Sequence, residues 1–130
     1  MSNFTVADFV SRVNVASRSR LKSVLVLHTR LSFNILDVLY RNGIIRSFKI
    51  VKNGILVFLK YYQNKSIFHL KLISRPGKKV YWTLGKLSLR YNANVFGGFY
   101  LISTSFGLLT SNDCLLGRRI SGEILLKVEI

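Results

Sequence analysis

The first residues of the chain carry apolar side chains three or four positions apart, the spacing of one face of a helix. These positions are Val6, Phe9, Val10 and Val13. Thr5 and Asp8 have the spacing of a helix-capping pair. The pattern therefore predicts an amphipathic helix of about three turns with a basic outer side.

A short apolar run and a second helical pattern follow. Residues 24–27 have the length and composition of a buried strand. Thr29 is the expected N-cap of a helix over residues 31–42, and Gly43 stands where helix ends favour glycine.

Two strands are predicted next, over residues 44–51 and 55–61, because the sequence Lys52-Asn53-Gly54 between them is typical of a hairpin turn. The N-terminal part is thus predicted to be α-β-α-β-β. The polar segment YYQNKS, residues 61–66, marks its expected end. The predicted lobes are an N-terminal α/β lobe, residues 1–62, and a C-terminal β-rich lobe, residues 63–130.

The C-terminal lobe is predicted to be mostly β with one short helix. Its expected elements are a strand over residues 67–73, a helical turn near 84–87 in an otherwise irregular segment, a strand over 99–102, a short helix capped through Thr110 and Asp113, and a closing strand over 124–130. The closing strand alternates strictly, with one apolar face. The whole chain is therefore predicted to be an α+β protein with two small lobes.

A cluster of hydroxyl side chains, Ser103, Thr104 and Ser105, ends the apolar strand, and Gly107 follows it. In one interpretation the hydroxyls satisfy the backbone of a turn. In the other they form a small uncharged surface that a polar ligand approaches closely, with Gly107 keeping the backbone accessible. The local sequence alone favours the turn.

The charge of the chain changes that balance. Lys and Arg total 20 against five acids, which gives a formal net charge of +15 over 130 residues. Such an excess favours binding to polyanions, either nucleic acid or an anionic membrane surface. No apolar run approaches the roughly 18 residues that span a bilayer, so a membrane is not expected as a partner. The Arg- and Ser-rich first twenty residues resemble a mitochondrial presequence, yet their helical pattern assigns them to the mature fold.

The segment Ser74–Lys79 places three cations around Pro76-Gly77, and Tyr81 and Trp82 follow it. Proline fixes φ and glycine supplies a positive φ, so a tight turn is predicted. Two interpretations stay open. The segment is either a solvated turn with two aromatic rings packed behind it, or a phosphate-binding corner with cation–π support.

The acids are too few and too scattered for catalysis. Asp8, Asp37 and Asp113 are explained by helix caps and a helix-surface pair, which leaves no pair of carboxylates for acid–base chemistry. The chain has no Gly-rich phosphate loop, no nucleophile elbow and no zinc-ligand spacing. We expect no catalytic residue, metal or cofactor, and we predict Cys114 to be a buried residue of the short helix.

Glu123 is the exceptional acid, because it lies beside Ser121 and Gly122 at the start of the closing strand. It is either a surface charge that pairs with Arg118 or Arg119, or a group that orients the hydroxyl cluster or accepts a hydrogen bond from a base.

Three segments in order resemble the bacterial and organellar form of ribosomal protein eight of the small subunit. ISRPGKKVY is similar to that family's SRPG turn with its basic residues and Tyr. ISTSFGLLT is similar to its Ser-Thr-Ser-x-Gly-x-x-Thr segment, and SGEILLKV to its Gly-Gly-Glu closing strand. Weaker matches at VADFVSRV, NGIIRSFKI and LKYYQNK extend the resemblance nearly end to end.

The resemblance implies a two-lobed protein that binds a helix in the central domain of small-subunit rRNA, assists early assembly and has neighbouring small-subunit proteins as partners. It implies RNA-binding residues by position: Ser103, Thr104, Ser105 and Gly107 in the main loop, Gly122 and Glu123 in support, Arg75, Pro76, Gly77 and Tyr81 in a neighbouring corner, and Thr29 and Arg30 as secondary contacts. Lys78 joins the corner because of its charge.

Several positions depart from the family pattern. Phe106 stands where the family usually has Lys, which replaces a phosphate contact by an apolar or stacking one. Ser121 replaces a Gly, and Asn14-Val15 replaces Arg-Asn. Few acids and many Phe, Tyr, Ile and Asn residues indicate an AT-rich organellar genome, so a mitochondrial ribosome is favoured over a plastid or bacterial one.

The predicted function is therefore a structural rRNA-binding protein without a catalytic role. Cations are expected to supply affinity through phosphate contacts, and the hydroxyl loop with Glu123 to supply specificity. The alternatives are a basic nucleic-acid enzyme or its accessory subunit, and a peripheral membrane protein.

Overall fold

The computed structural model describes residues 3–75, 77–93 and 97–130. The chain forms two compact units, Met1–His69 and Leu70–Ile130. Each combines helices with antiparallel strands, so the α+β prediction is confirmed. The lobe boundary expected after residue 62 falls in a short hairpin and stays a prediction.

The N-terminal unit has the predicted α-β-α-β-β order. Its elements are α1 (Asn3–Arg18), β1 (Ser23–Val26), α2 (Arg30–Arg41), β2 (Ser47–Val51), β3 (Gly54–Phe58) and a short hairpin of β4 (Tyr61–Tyr62) and β5 (Lys65–Ser66). Helix α1 is longer than the expected three turns because its buried face continues through Ala16 and Ser17.

The three-stranded sheet of this unit has the order β1-β3-β2, and β3 is antiparallel to both neighbours. Phe58, at the end of β3, is opposite Ser23 of β1 and Ser47 of β2. The beginnings of β1 and β2 therefore meet the end of β3 at one end of the sheet. At the other end, Val51 pairs with Gly54 and closes the predicted hairpin turn.

The sheet of the C-terminal unit has the order β6-β9-β7-β8. The elements of this unit are β6 (His69–Leu72), α3 (Leu84–Asn92), β7 (Phe99–Thr104), β8 (Gly107–Thr110), a π-helix (Asp113–Arg118) and β9 (Glu123–Glu129).

Two elements of this unit differ from the sequence prediction. Helix α3 runs to Asn92 instead of ending near Leu87, and its N-cap is Thr83, whose side chain accepts a hydrogen bond from Lys86 N. Its apolar pattern is weak because Leu87 is its one buried residue. Strand β8 lies where a turn was expected to lead directly into the short helix.

A compact apolar cluster fills the C-terminal unit. Its buried members are Leu87, Tyr100, Ile102, Cys114 and Ile124, with Ile73, Val80, Trp82, Leu109 and Leu115 packed against them. Burial of Cys114 confirms its predicted role as a core residue. Burial, reinforced by the charge of Asp113, raises the pKa of its thiol to about 11. Within the described ranges, no helix is long and apolar enough to cross a membrane.

Candidate nucleic-acid interface

The hydroxyl cluster lies at the tip of the β7–β8 hairpin, and we call residues 103–107 the hydroxyl hairpin. Thr104 pairs with Gly107 across a two-residue turn of Ser105 and Phe106. Thr104 Oγ1 donates to the Gly107 carbonyl oxygen at 2.9 Å and accepts from Phe106 N at 3.1 Å. The Thr104 hydroxyl therefore satisfies the backbone of the turn, as the first interpretation proposed.

The two serines of the hydroxyl hairpin differ from Thr104. Ser103 and Ser105 are exposed. Their hydroxyls make no hydrogen bond to any residue that the structure describes. Each of these groups is both a donor and an acceptor, so the hairpin presents uncharged hydrogen-bonding capacity to a ligand.

The strand ladder brings three of the predicted site residues side by side. Ser103 on β7 pairs with Glu123 on β9, and Glu123 forms an antiparallel bridge with Tyr81 on its other side. Tyr81 is 64% exposed, whereas Glu123 is half-buried. The hydroxyl hairpin, Glu123 and Tyr81 thus form one continuous surface.

A β-bulge sets this pairing. Leu101 pairs with Leu126, but the next residue of β7, Ile102, pairs with Ile124, so Leu125 is the extra residue. Without the bulge, Ser103 would be opposite Ile124. A slip of one residue exchanges the two faces of a strand, so the bulge is what brings the carboxylate residue beside Ser103.

A glycine is needed at position 122 because the backbone there packs closely against strand β7 at Ser103. A Cβ atom at this position would lie 2.2 Å from the Ser103 carbonyl oxygen and 3.1 Å from its carbonyl carbon. The contact is with backbone, which cannot rotate away as a side chain can. The supporting role expected for Gly122 therefore has a steric basis.

Ser74 connects this surface to the neighbouring turn, although the sequence pattern indicated only a turn residue at this position. Its side chain is buried, and its Oγ donates to the Ile124 carbonyl oxygen at 2.5 Å and accepts from Val80 N at 3.0 Å. Ile124 N donates in turn to the Val80 carbonyl oxygen at 2.8 Å. No local pattern distinguishes such a serine, because its partners are six and fifty positions away in the chain.

The predicted basic corner is a tight turn. Arg75 N and the Lys78 carbonyl oxygen are 3.1 Å apart, and the reverse pair is 2.9 Å apart. Gly77 has the predicted positive φ, 79°, while Pro76 lies outside the described residues. Arg75 and Lys78 are both exposed, so their charges are available to an anion.

The two aromatic residues after this turn have different environments. Tyr81 is exposed, whereas Trp82 packs edge-to-face against Tyr100 with ring centroids 5.1 Å apart. The cations near Trp82 come from α3, with Lys86 at 5.8 Å and Arg90 at 5.7 Å from the ring centroid. Trp82 is therefore a packing residue, whereas the side chain of Tyr81 is open to solvent.

Phe106 and Arg118 form a pair that the sequence did not predict. Phe106 is 58% exposed at the tip of the hydroxyl hairpin, and the Arg118 guanidinium carbon lies 4.3 Å from its ring centroid. The ring thus holds a positive charge beside the hairpin. The separation of twelve residues between them gave no local indication of this contact.

Thr29 and Arg30 lie in the N-terminal unit, at the start of α2. Thr29 Oγ1 accepts from Ser32 N at 3.1 Å, and Thr29 N donates to Ser32 Oγ at 2.9 Å, which completes a capping box. The N-cap prediction is confirmed, and capping accounts for the hydroxyl of Thr29. Arg30 is exposed.

Two of the acids are engaged on helix surfaces. Asp8 pairs with Arg12 at 2.9 Å and Asp37 with Arg41 at 3.2 Å, both one helical turn apart on exposed helix faces. Among the residues that the structure describes, no group of His, Cys, Asp and Glu side chains is placed to hold a metal ion.

Comparison with known proteins gives consistent matches over nearly the whole chain. Residues 5–128 match the family model of ribosomal protein S8. The small ribosomal subunit protein uS8 of Orientia tsutsugamushi (strain Boryong) is 41% identical over 132 aligned positions, covering 95% of this chain and 96% of its own. The protein uS8m of Acanthamoeba castellanii is 36% identical, covering 95% and 97%. The protein uS8 of Rickettsia typhi is 35% identical, covering 95% of each.

The fold and these matches define the class first: this is a structural protein of the small ribosomal subunit. Within that class, the chain belongs to the ribosomal protein S8 family.

Proposed function

We propose that this protein binds a helix in the central domain of small-subunit rRNA, assists early assembly of the subunit and has no catalytic role. The observation that carries the proposal is the continuous surface in which Ser103 and Ser105 expose free hydroxyls beside Glu123 and Tyr81. Closely spaced uncharged donors and acceptors can form hydrogen bonds with base edges and sugars, and such contacts distinguish one nucleic-acid site from another.

The proposed contacts divide between charge and hydrogen bonding. Arg75 and Lys78 meet phosphates next to the hydroxyl hairpin, and their charge contributes affinity through release of counterions. Because the deep major groove of an RNA helix is closed to side chains, the hydroxyls of Ser103 and Ser105 meet a minor groove or an irregular site. Glu123 accepts a hydrogen bond from an amino group there.

Phe106 and Arg118 extend this contact. An exposed aromatic ring offers a stacking face to an unpaired base, and the stacked guanidinium brings a positive charge to the same place. A lysine at the hairpin tip would supply charge alone. In this chain Arg118 supplies the charge, and Phe106 adds the stacking face.

We further propose that the subunit is mitochondrial. The composition is that expected of an AT-rich organellar genome, and one of the relatives is the uS8m protein of Acanthamoeba castellanii. A bacterial or plastid ribosome is the alternative location. Neighbouring small-subunit proteins are the other proposed partners.

The test is a salt-titrated binding assay that compares the central-domain rRNA helix with a scrambled helix of equal length. We expect the cognate helix to be preferred at every salt concentration, while affinity for both falls as salt rises. If both helices bind equally and both are released at high salt, the protein binds RNA only through non-specific electrostatic attraction. Cleavage of either RNA that depends on a divalent metal would support a nucleic-acid enzyme instead.

A further inference from the structure

One end of the N-terminal sheet collects positive charge. Because β3 is antiparallel to both β1 and β2, the residues that precede β1 and β2 lie beside those that follow β3. Lys22 directly precedes β1, Arg46 directly precedes β2, and Lys60 is the second residue after β3. Backbone hydrogen bonds continue the ladder here, from Leu59 N to the Lys22 carbonyl oxygen and from Arg46 N to the Phe58 carbonyl oxygen, each 3.0 Å.

These residues line a pocket of about 480 Å³, which we call the basic pocket. Its lining residues are Arg20, Lys22, Arg46, Leu59, Lys60 and Tyr61. Four of the six are cations, all of them exposed, and no carboxylate is found among the described lining residues. An adjoining hollow of about 250 Å³ shares Lys22, Arg46 and Leu59 and adds Ser47 and Phe58.

The walls of the basic pocket are held in place by contacts within the fold. Lys60 Nζ donates to the Gly43 carbonyl oxygen at 3.4 Å, and the hydroxyl of Tyr61 donates to the Leu21 carbonyl oxygen. Leu59 is buried. These contacts orient the walls but neutralise none of the four charges. Like charges in one concave site repel one another. An anion that enters the basic pocket removes this repulsion, so its binding is favourable.

We propose that the basic pocket binds backbone phosphates of small-subunit rRNA, as a contact separate from the hydroxyl hairpin. Because the protein belongs to the small ribosomal subunit, rRNA is the polyanion that surrounds it. The lining combines arginine and lysine side chains, and both types bind phosphate. The arginine forks of Arg20 and Arg46 bind two phosphate oxygens at once, while Lys22 and Lys60 add compact charges. The pocket positions the N-terminal unit on RNA without distinguishing its sequence.

The first test measures the salt dependence of binding to intact small-subunit rRNA. Lys22→Gln with Lys60→Gln removes two charges of the pocket and keeps side-chain length. The control, Lys49→Gln with Lys52→Gln, removes two exposed charges away from the pocket, one on β2 and one in the turn that follows it. We expect the slope of log affinity against log salt to fall by about two units in the pocket variant and to stay unchanged in the control. Equal slopes in the two double variants would overturn the proposal.

This result is independent of the proposed function of the hydroxyl hairpin. If the hairpin does not distinguish RNA sequences, the preference for the cognate helix disappears, yet the difference in salt slope between the two double variants remains. If the pocket binds no phosphate, the preference remains and the difference in slope disappears.

The second test locates RNA directly in the assembled subunit. Ser47→Cys places a thiol in the lining of the adjoining hollow, and Asn53→Cys places one at the opposite end of the sheet. Iron–EDTA attached to each introduced thiol cleaves nucleic acid nearby, while native Cys114 stays unlabelled because it is buried with a pKa raised to about 11. We expect rRNA cleavage from position 47 and not from position 53. Absence of cleavage from position 47, or equal cleavage from both positions, would overturn the proposal.

Discussion

The hydroxyl groups of the hydroxyl hairpin divide between two tasks. Thr104 uses both its donor and its acceptor within the turn, whereas Ser103 and Ser105 direct theirs outward. The turn interpretation of the Ser-Thr-Ser cluster is therefore correct for Thr104, whereas the ligand-surface interpretation stays a prediction for Ser103 and Ser105. The sequence alone could not show which hydroxyl binds the turn backbone and which are exposed, because this depends on which residue lies over the turn of the β7–β8 hairpin.

Replacement of Ser105 by alanine tests the outward-facing group. Ser105→Ala should weaken binding to the cognate rRNA helix by about 1–2 kcal/mol, because a partner on the RNA loses its hydrogen bond. Ser11→Ala, which removes an exposed hydroxyl of α1, is the matched control and should leave affinity unchanged. Isothermal titration calorimetry with the cognate and scrambled helices measures the affinity of each variant. An unchanged affinity in Ser105→Ala would exclude this hydroxyl from the interface.

Gly122→Ala should lower the free energy of unfolding by about 1–3 kcal/mol, since the added Cβ would meet the Ser103 carbonyl oxygen and the strand must shift. Gly85→Ala is the control, because its Cβ would meet no atom within 4 Å, and it should raise stability by at most about 1 kcal/mol. Urea unfolding measures both variants. Equal stability of the two would mean that β9 moves away from β7 without cost.

The elements that the sequence predicted well are those defined by local chemistry. These are the cap of α2 at Thr29 and the Lys52-Asn53-Gly54 turn, which depend on residues close in the chain. The predicted contact of Thr110 with Asp113 is also local, because Asp113 N donates to Thr110 Oγ1 at 3.2 Å, although the helix that begins at Asp113 has Asn112 as its N-cap residue. Strand β8 and the Leu125 bulge were not predictable in this way. Both are fixed by pairing with β7, and their own sequences are short apolar runs without a distinctive period.

The same distinction applies to the candidate site. The three sequence motifs located the hydroxyl hairpin, Glu123 and Tyr81, but not their order across the sheet. The basic pocket escaped prediction because its four cations are scattered over forty residues and meet only through the antiparallel order β1-β3-β2. The helical pattern predicted a basic surface on the outer side of the first helix, not at this end of the sheet.

The capping box of α2 gives a test at the scale of one element. Thr29→Ala removes the acceptor for Ser32 N, so it should lower the free energy of unfolding by about 1 kcal/mol. Thr29→Ser keeps the hydroxyl, so its free energy of unfolding should stay close to that of the unmodified protein. Urea unfolding followed by circular dichroism checks both. If Thr29→Ala keeps full stability and instead loses affinity for rRNA, then Thr29 acts as an RNA contact and not as a cap.

The charge of the whole molecule opposes its own folding when RNA is absent. With 20 cations and five acids, of which Asp8 and Asp37 are already engaged on helix surfaces, most positive charge has no counter-charge within the protein. Bound rRNA removes this repulsion in addition to making specific contacts. Binding and stability should therefore respond to salt in opposite directions.

In the absence of RNA, raising salt from 0.01 to 0.15 M should increase the free energy of unfolding, since the Debye length shortens from about 30 to 8 Å and self-repulsion is screened. Affinity for rRNA should fall over the same range. Urea unfolding is the suitable measurement because urea adds no ions. A stability that is constant or lower in salt would mean that the cations are already balanced within the fold.

Trp82 is the one tryptophan of the chain, and it lies in the apolar cluster of the C-terminal unit against Tyr100. Its fluorescence therefore reports on that unit alone, whereas circular dichroism at helical wavelengths draws mainly on α1 and α2 of the other. The two optical signals together reveal whether both units unfold in one transition or in two. The molecule thus carries a natural probe of its own cooperativity, with no need for an added label.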